Sequence, residues 1–261
     1  MPKFAANLSM MFNEVPFLDR FAAAADAGFR GVEYLFPYDF PVEAIADLLT
    51  RHNLENVLFN LPPGNWAAGE RGTTCLPGRE AEFRAGVQTA IAYATRLKTT
   101  RVHAMAGVVP PGADPAAVEA AYIDNLKYAA AELAPHGITL LIEAINTRDM
   151  PGFYLNTQAQ SYAVMREVGA PNLKMQMDCY HMQIMEGDLA VKLKKYAAHC
   201  AHVQVAGVPE RHEPDTGEVR YPYLFELMDT LGYDGWVGCE YRPAGKTVDG
   251  LGWFRSLAAA K

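Results

Sequence analysis

Short apolar runs alternate with longer amphipathic segments along the whole chain. The runs are FAANLS (4–9), GVEYLF (31–36), ENVLFNL (55–61), RVHAMAG (101–107), TLLIEAI (139–145), LKMQMDCY (173–180), HVQVAG (202–207) and WVGCEY (236–241). Each is too short for a helix and bounded by turn residues, as buried strands are. Between them the apolar positions recur at helical spacing over 15–28, 41–53, 78–98, 114–136, 157–168, 187–199 and 222–231, and again from Gly250. Glycines at 28, 137, 169 and 232 close four of these segments, where a left-handed residue commonly ends a helix. Strands alternating with helices imply a parallel sheet. Eight such units in 261 residues predict one (β/α)8 TIM barrel over 1–261. An open doubly wound sheet is the rival architecture. Neither a G-x-G-x-x-G after the first strand nor a phosphate-binding G-x-x-x-x-G-K-[ST] supports it.

Four polar residues stand toward the ends of the last four strand runs: Glu143, Asp178, Gln204 and Glu240. In a parallel barrel these positions converge on one mouth. Three carboxylates and an amide oxygen make a hard ligand set for one divalent cation, Mg²⁺ or Mn²⁺. Each carboxylate follows an apolar run, where an ionised group is costly unless paired or bound to a cation. Salt bridges within the strands do not supply the pairing, because the strands carrying these groups hold only Lys174. It opens its strand, roughly 13 Å from Asp178 at about 3.3 Å per residue.

Side chains two apart share a strand face. With Asp178 inward, Gln176 also points inward and needs a hydrogen-bonding partner, while Met175, Met177 and Cys179 point toward the helices. Cys239 likewise points outward beside Glu240. Glu33 ends the second strand, either as a pocket hydrogen-bonder or as a structural residue. His181, three residues beyond Asp178, stands where it could meet a substrate oxygen, orient the metal shell or serve as a structural histidine. His103 lines the mouth or packs within the fourth strand. The loop PPGNWAAGERG (62–72) carries Trp66 and Glu70 onto the same face, either as a mobile lid or as an ordered loop. The loop VPERHEPDTGE (208–218) brings Arg211 there.

Composition narrows the partners. The net charge of −7 argues against nucleic acid and anionic membranes, which select basic surfaces. Four cysteines without a C-x-x-C pair fit neither a zinc ribbon nor a disulfide framework. No apolar run reaches membrane-spanning length and no signal-like segment opens the chain, so the expected setting is cytoplasmic. A homo-oligomer remains open.

At these residues the chain resembles the hydroxypyruvate isomerase family of the xylose isomerase-like barrels. The stretches that carry the resemblance are FAANLSMMF, GFRGVEYLFPYD, NLPPGNWAAGERG, LPGRE, LLIEAIN, MDCYHMQ, HVQVAG, RHEPDTGE and GWVGCEY. A sister group, the 2-oxo-tetronate isomerases, shares most of them; NLPPGNWAAGERG and MDCYHMQ are closer to the hydroxypyruvate group, MAGVVPPG and VAGVPERHEPD to the sister group. The resemblance implies metal ligation by Glu143, Asp178, Gln204 and Glu240. It implies acid–base catalysis by Glu143 and Glu240, and substrate contacts from His181 and Arg211. The implied reaction converts hydroxypyruvate to tartronate semialdehyde: a proton leaves C3 and one is delivered to C2. Three carboxylates outweigh one divalent ion, and a keto acid adds further negative charge. A cation is therefore expected at the substrate carboxylate, Arg211 first and protonated His181 second. Two other classes share the barrel. An endonuclease of the multinuclear zinc type needs more strand-end histidines than this chain offers. A non-catalytic binding barrel needs no opposed pair of glutamates.

Overall fold

A computed structural model describes residues 2–259. The eight apolar runs form eight parallel strands: β1 (Lys3–Asn7), β2 (Gly31–Glu33), β3 (Glu55–Asn60), β4 (Arg101–His103), β5 (Thr139–Glu143), β6 (Leu173–Asp178), β7 (Cys200–Val205) and β8 (Trp236–Cys239). They pair in sequence order, and β1 pairs with β8 from Lys3↔Trp236 to Ala6↔Cys239, closing the barrel. That last pairing rules out the open sheet. The helices are α1 (Arg20–Asp26), α2 (Val42–His52), α3 (Glu80–Leu97), α4 (Pro115–Leu133), α5 (Gln158–Val168), α6 (Cys179–Met185), α7 (Leu189–Tyr196), α8 (Tyr221–Thr230) and α9 (Gly252–Ala259).

Local chemistry accounts for the boundaries. Asp114 and Thr157 accept hydrogen bonds from Ala116 and Gln160 backbone N–H groups and so start α4 and α5. The four expected glycine stops all lie at positive φ, between 67° and 101°. One boundary differs from the sequence pattern. The sixth strand ends at Asp178 rather than running to Tyr180, because the Asp178 carboxylate accepts the Tyr180 N–H at 2.8 Å and starts α6. Cys179 is therefore the first residue of a helix and not an outward strand residue, although it is fully buried as expected.

The main core lies between strands and helices. Its aromatic part joins the two ends of the described chain: Phe4 on β1 meets Phe225 and Trp253 edge-on, with centroids 5.1 and 5.2 Å away, and Phe29 stacks on Phe254 at 4.4 Å. The barrel interior is more polar than the apolar runs suggest. The Glu33 carboxylate is 1% exposed and accepts from Asn7 Nδ2 (3.1 Å) and Gln204 Nε2 (2.7 Å), with His202 Nε2 at 2.7 Å. Of the two roles open to Glu33, the geometry matches an interior hub. Gly238 makes room for it: a Cβ there would stand 2.4 Å from both carboxylate oxygens.

Gly238→Ala should therefore destabilise the barrel by about 1–3 kcal/mol, since three polar partners restrain the carboxylate it would strike. Urea unfolding checks this, and an unchanged midpoint would mean that Glu33 can move aside freely.

Candidate active site

The register of the barrel brings the strand-end residues together. Asp178 stands opposite Gln204 between β6 and β7, Glu143 opposite Gln176 between β5 and β6, and Asn60 opposite His103 between β3 and β4. Glu240 immediately follows β8. One oxygen each of Glu143, Asp178 and Glu240 and a ring nitrogen of His181 lie within 4.8 Å of one another, all buried. Glu143, His181 and Glu240 border a cavity of about 360 Å³ whose wall includes Trp66, Arg71, His103, Asp149, Arg211 and Arg242.

Three carboxylates this close strongly disfavour full ionisation. Burial, with Glu240 and Asp178 beside it, raises the Glu143 pKa well above the ordinary range. Burial pushes Glu240 up to about 8, against the opposing pull of Arg211. Asp178 rises to about 6 by burial, offset by Arg211 and by backbone N–H donors. Arg211 is the guanidinium in the cluster. Its Nη2 donates to Glu240 Oε2 at 2.5 Å and lies 3.5 Å from Asp178 Oδ2. Burial works against its charge, but the carboxylates outweigh burial and raise its pKa. Tyr180 supports it as a ring 4.7 Å away, and the Tyr180 hydroxyl donates to Asp149 at 2.8 Å. The Arg211 backbone lies at φ 61°, in the left-handed region, so its loop holds a sparsely populated conformation.

Several expectations change at this point. Arg211 lines the cavity, yet its charge balances Glu240 and Asp178 rather than standing free for a substrate carboxylate. His181 cannot be the second cation: burial, then Arg211, holds its pKa well below the usual imidazole value, so the ring is neutral. Its Nδ1 lies 2.6 Å from Asn146 Nδ2, which suits a neutral ring accepting there. Glu70 does not line the cavity. Arg79 and the Asn65 N–H hold it within its own loop. Trp66 does line it, and its loop ends packed so closely on the fourth strand's extension that a Cβ on Gly72 would be 2.2 Å from Met105 O. His103 also lines it, 3.7 Å from Glu143 and kept neutral by burial, with its pKa lowered to about 3. Gln204 sits beside Asp178, but its oxygen accepts from Gln176 Nε2 at 2.7 Å and its amide nitrogen donates to Glu33. Gln176 thus has the inward partner that strand parity requires. Two contributors escaped the sequence reading: Asn7, whose Nδ2 donates to both Glu33 and Glu240, and Tyr180 behind Arg211. Both stand in runs flagged by their neighbours, but neither residue type announces its role.

The donor set fits a divalent cation. Glu143 Oε1, Asp178 Oδ2 and His103 Nε2 are buried without a hydrogen-bond partner, and the first two belong to the converging group. Buried acceptors that face one another without donors suit a positive ion.

A family profile described as the xylose isomerase-like TIM barrel matches residues 21–257. The chain belongs to that family. Within it, the chain is 59% identical to a 2-oxo-tetronate isomerase from Cupriavidus necator over 98% of both chains. It is 48% identical to a hydroxypyruvate isomerase from Escherichia coli K12, covering 97% of this chain and 98% of that one. A crystal structure described as an AP endonuclease, family 2, from Brucella melitensis superposes with a TM-score of 0.97 at 55% identity, covering 98% of this chain and 99% of that one. Among the described residues no helix is long and apolar enough to cross a membrane.

The raised carboxyl pKa values set a pH dependence. Folded Glu240 and Asp178 hold protons that the unfolded chain releases near its ordinary values of 4.5 and 3.8. Their stabilising contribution is full below those values and is lost as pH rises through about 6 and about 8. Chelator-treated protein should therefore melt at progressively lower temperature from about pH 5 to 9, and added Mg²⁺ or Mn²⁺ should lessen the fall. A flat profile without metal would contradict the arrangement.

Proposed function

We propose that this barrel isomerises short 2-keto-3-hydroxy acids, interconverting hydroxypyruvate and tartronate semialdehyde (2-hydroxy-3-oxopropanoate). The observation that carries the reading is the pair Glu143 and Glu240. Both are buried at the cavity, and burial raises the pKa of both: Glu143 well above the ordinary carboxyl range and Glu240 to about 8, so that a carboxyl of the pair can hold a proton for transfer. Glu143, Asp178 and Glu240 would hold one Mg²⁺ or Mn²⁺, with His181 and the second lone pair of the Gln204 oxygen beside them. Bound there, the ion would supply Lewis-acid polarisation of the substrate oxygens.

The residues divide the remaining work. One glutamate removes the proton from C3 while the C2 carbonyl becomes an enediolate oxygen. A carboxyl then delivers a proton to C2, and the C3 hydroxyl proton passes to the C2 oxygen as the C3 carbonyl forms, leaving a C2 hydroxyl. Hydrogen moves from C3 to C2 with no external oxidant. Arg211 holds Glu240 in place and limits the charge of the cluster, and Asn7 fixes the other Glu240 oxygen. Neutral His103 and His181 can donate to substrate oxygens or accept from them without adding charge.

A second reading is isomerisation of the four-carbon 2-oxo-tetronate, favoured by the 59% identical relative of that name. It uses the same hydrogen shift between C3 and C2. A nucleic-acid substrate is disfavoured by the net charge of −7 and by a centre rich in carboxylates and poor in histidines. A cytoplasmic setting agrees with four free cysteines.

Proton NMR in D₂O, with metal-loaded protein and each acid in parallel, tests the reading. Metal-dependent deuterium incorporation with aldehyde formation from hydroxypyruvate is expected. Preference for the four-carbon acid would select the second reading, and no exchange with either would remove both. Glu143→Gln and Glu240→Gln should each lower kcat by about 10²–10⁴-fold while the protein still folds. Robust turnover in either variant would exclude that residue from the acid–base pair.

A further inference from the structure

Arg211 is committed to the carboxylates of the site, yet a keto acid brings a carboxylate of its own. The cavity wall holds another guanidinium that is free to meet it. Arg71 stands in the loop after β3 and stacks on Trp66, with its Cζ 3.9 Å from the ring centroid; Trp66 in turn packs edge-on against Phe36 at 5.0 Å. Its Nη1 donates to the backbone oxygens of Trp66 (3.1 Å) and Glu70 (2.7 Å). Among the described residues no carboxylate pairs with it; its neighbour Glu70 is taken by Arg79. A guanidinium has five N–H donors in a planar fork, and here one nitrogen is anchored while Nε and Nη2 keep theirs. The stack and the backbone bonds fix its orientation in advance, which lowers the ordering cost of binding an anion. Arg242 lines the same cavity from the loop after β8 and adds a second positive charge, with no side-chain partner among the described residues.

We propose that Arg71 is the carboxylate-recognition residue of this site, receiving the C1 carboxylate of the keto acid on its unpaired Nε–Nη2 edge, with Arg242 reinforcing the field. The assignment rests on the proposed function above. It has a consequence for selectivity. In hydroxypyruvate and in 2-oxo-tetronate alike, the carboxylate adjoins C2, so one subsite sets both acids in the same register over Glu143 and Glu240. The extra carbon of the longer acid lies beyond C3, away from the subsite. Arg71 thus separates acids from neutral ketoses and does not measure chain length.

The test compares metal-loaded wild type, Arg71→Met and Arg71→Lys on hydroxypyruvate, 2-oxo-tetronate and dihydroxyacetone. Dihydroxyacetone replaces the carboxylate of hydroxypyruvate with a hydroxymethyl group. In Arg71→Met the ratio of kcat/KM for acid to that for dihydroxyacetone should fall on the order of 100-fold, equally for both acids and mainly through KM. Arg71→Lys, which keeps the charge without the fork, should fall between. Calorimetric binding of D-glycerate, which carries the carboxylate but no carbonyl to isomerise, should weaken in parallel, with thermal melts confirming folded protein. An unchanged acid-to-neutral ratio in Arg71→Met overturns the assignment. Wild type inert on both acids overturns the proposed function instead; glycerate affinity then reads the subsite, and an equal Kd in wild type and Arg71→Met overturns it too.

Discussion

Mutual repulsion among three buried carboxylates is the constraint around which the mouth of this barrel is organised. Glu143, Asp178 and Glu240 approach within a few ångströms out of contact with bulk water, where an unbalanced charge costs far more than at a surface. The surrounding residues answer that problem in different ways. Arg211 supplies positive charge, and its loop adopts a strained backbone conformation to deliver it. Asn7 contributes a neutral donor. The two histidines remain uncharged because burial opposes a further cation, with Arg211 adding to it at His181. What remains without a hydrogen-bond donor is the pair of acceptors Glu143 Oε1 and Asp178 Oδ2, the feature that best suits a divalent ion.

The same problem recurs inside the barrel. Glu33 is buried among Asn7, His202 and Gln204, and it is tolerated because Gly238 leaves space and three polar groups face it. Asn7 touches both Glu33 and Glu240, so interior and mouth form one hydrogen-bonded body. Gln204 belongs to both as well. Its amide nitrogen is fixed by Glu33, which turns its oxygen away from that carboxylate and toward Gln176. Stability and site geometry are therefore coupled through short polar contacts, and a change made for one is felt by the other.

Much of this was legible in the sequence because strand parity and strand ends are local properties. Glu143, Asp178, Gln204 and Glu240 each lie toward the end of an apolar run, and a parallel barrel gathers such ends at one mouth. The inward turn of Gln176 followed from counting by two from Asp178. The rest depends on partners far away in the chain, which no period encodes. Arg211 and Glu240 are 29 residues apart and Asn7 and Glu33 are 26 apart, so nothing local distinguishes a paired guanidinium from a free one. Glu70 looked like a cavity residue from its position in a glycine-rich loop, but Arg79, nine residues on, claims it. The helix at Cys179 was hidden because Asp178 is at once the last residue of a strand and the cap of the next element.

The seam between the first and last strands adds a consequence in time. Asn7 and Glu240 are separated by 233 residues and meet only after β8 has docked against β1. The aromatic contacts of Phe4 with Phe225 and Trp253 form along with that docking. A chain still emerging from the ribosome therefore carries Glu143 and Asp178 without the residue that opposes them. Under the proposed roles of Glu143 and Glu240, chemistry at this mouth would wait for the ring to close.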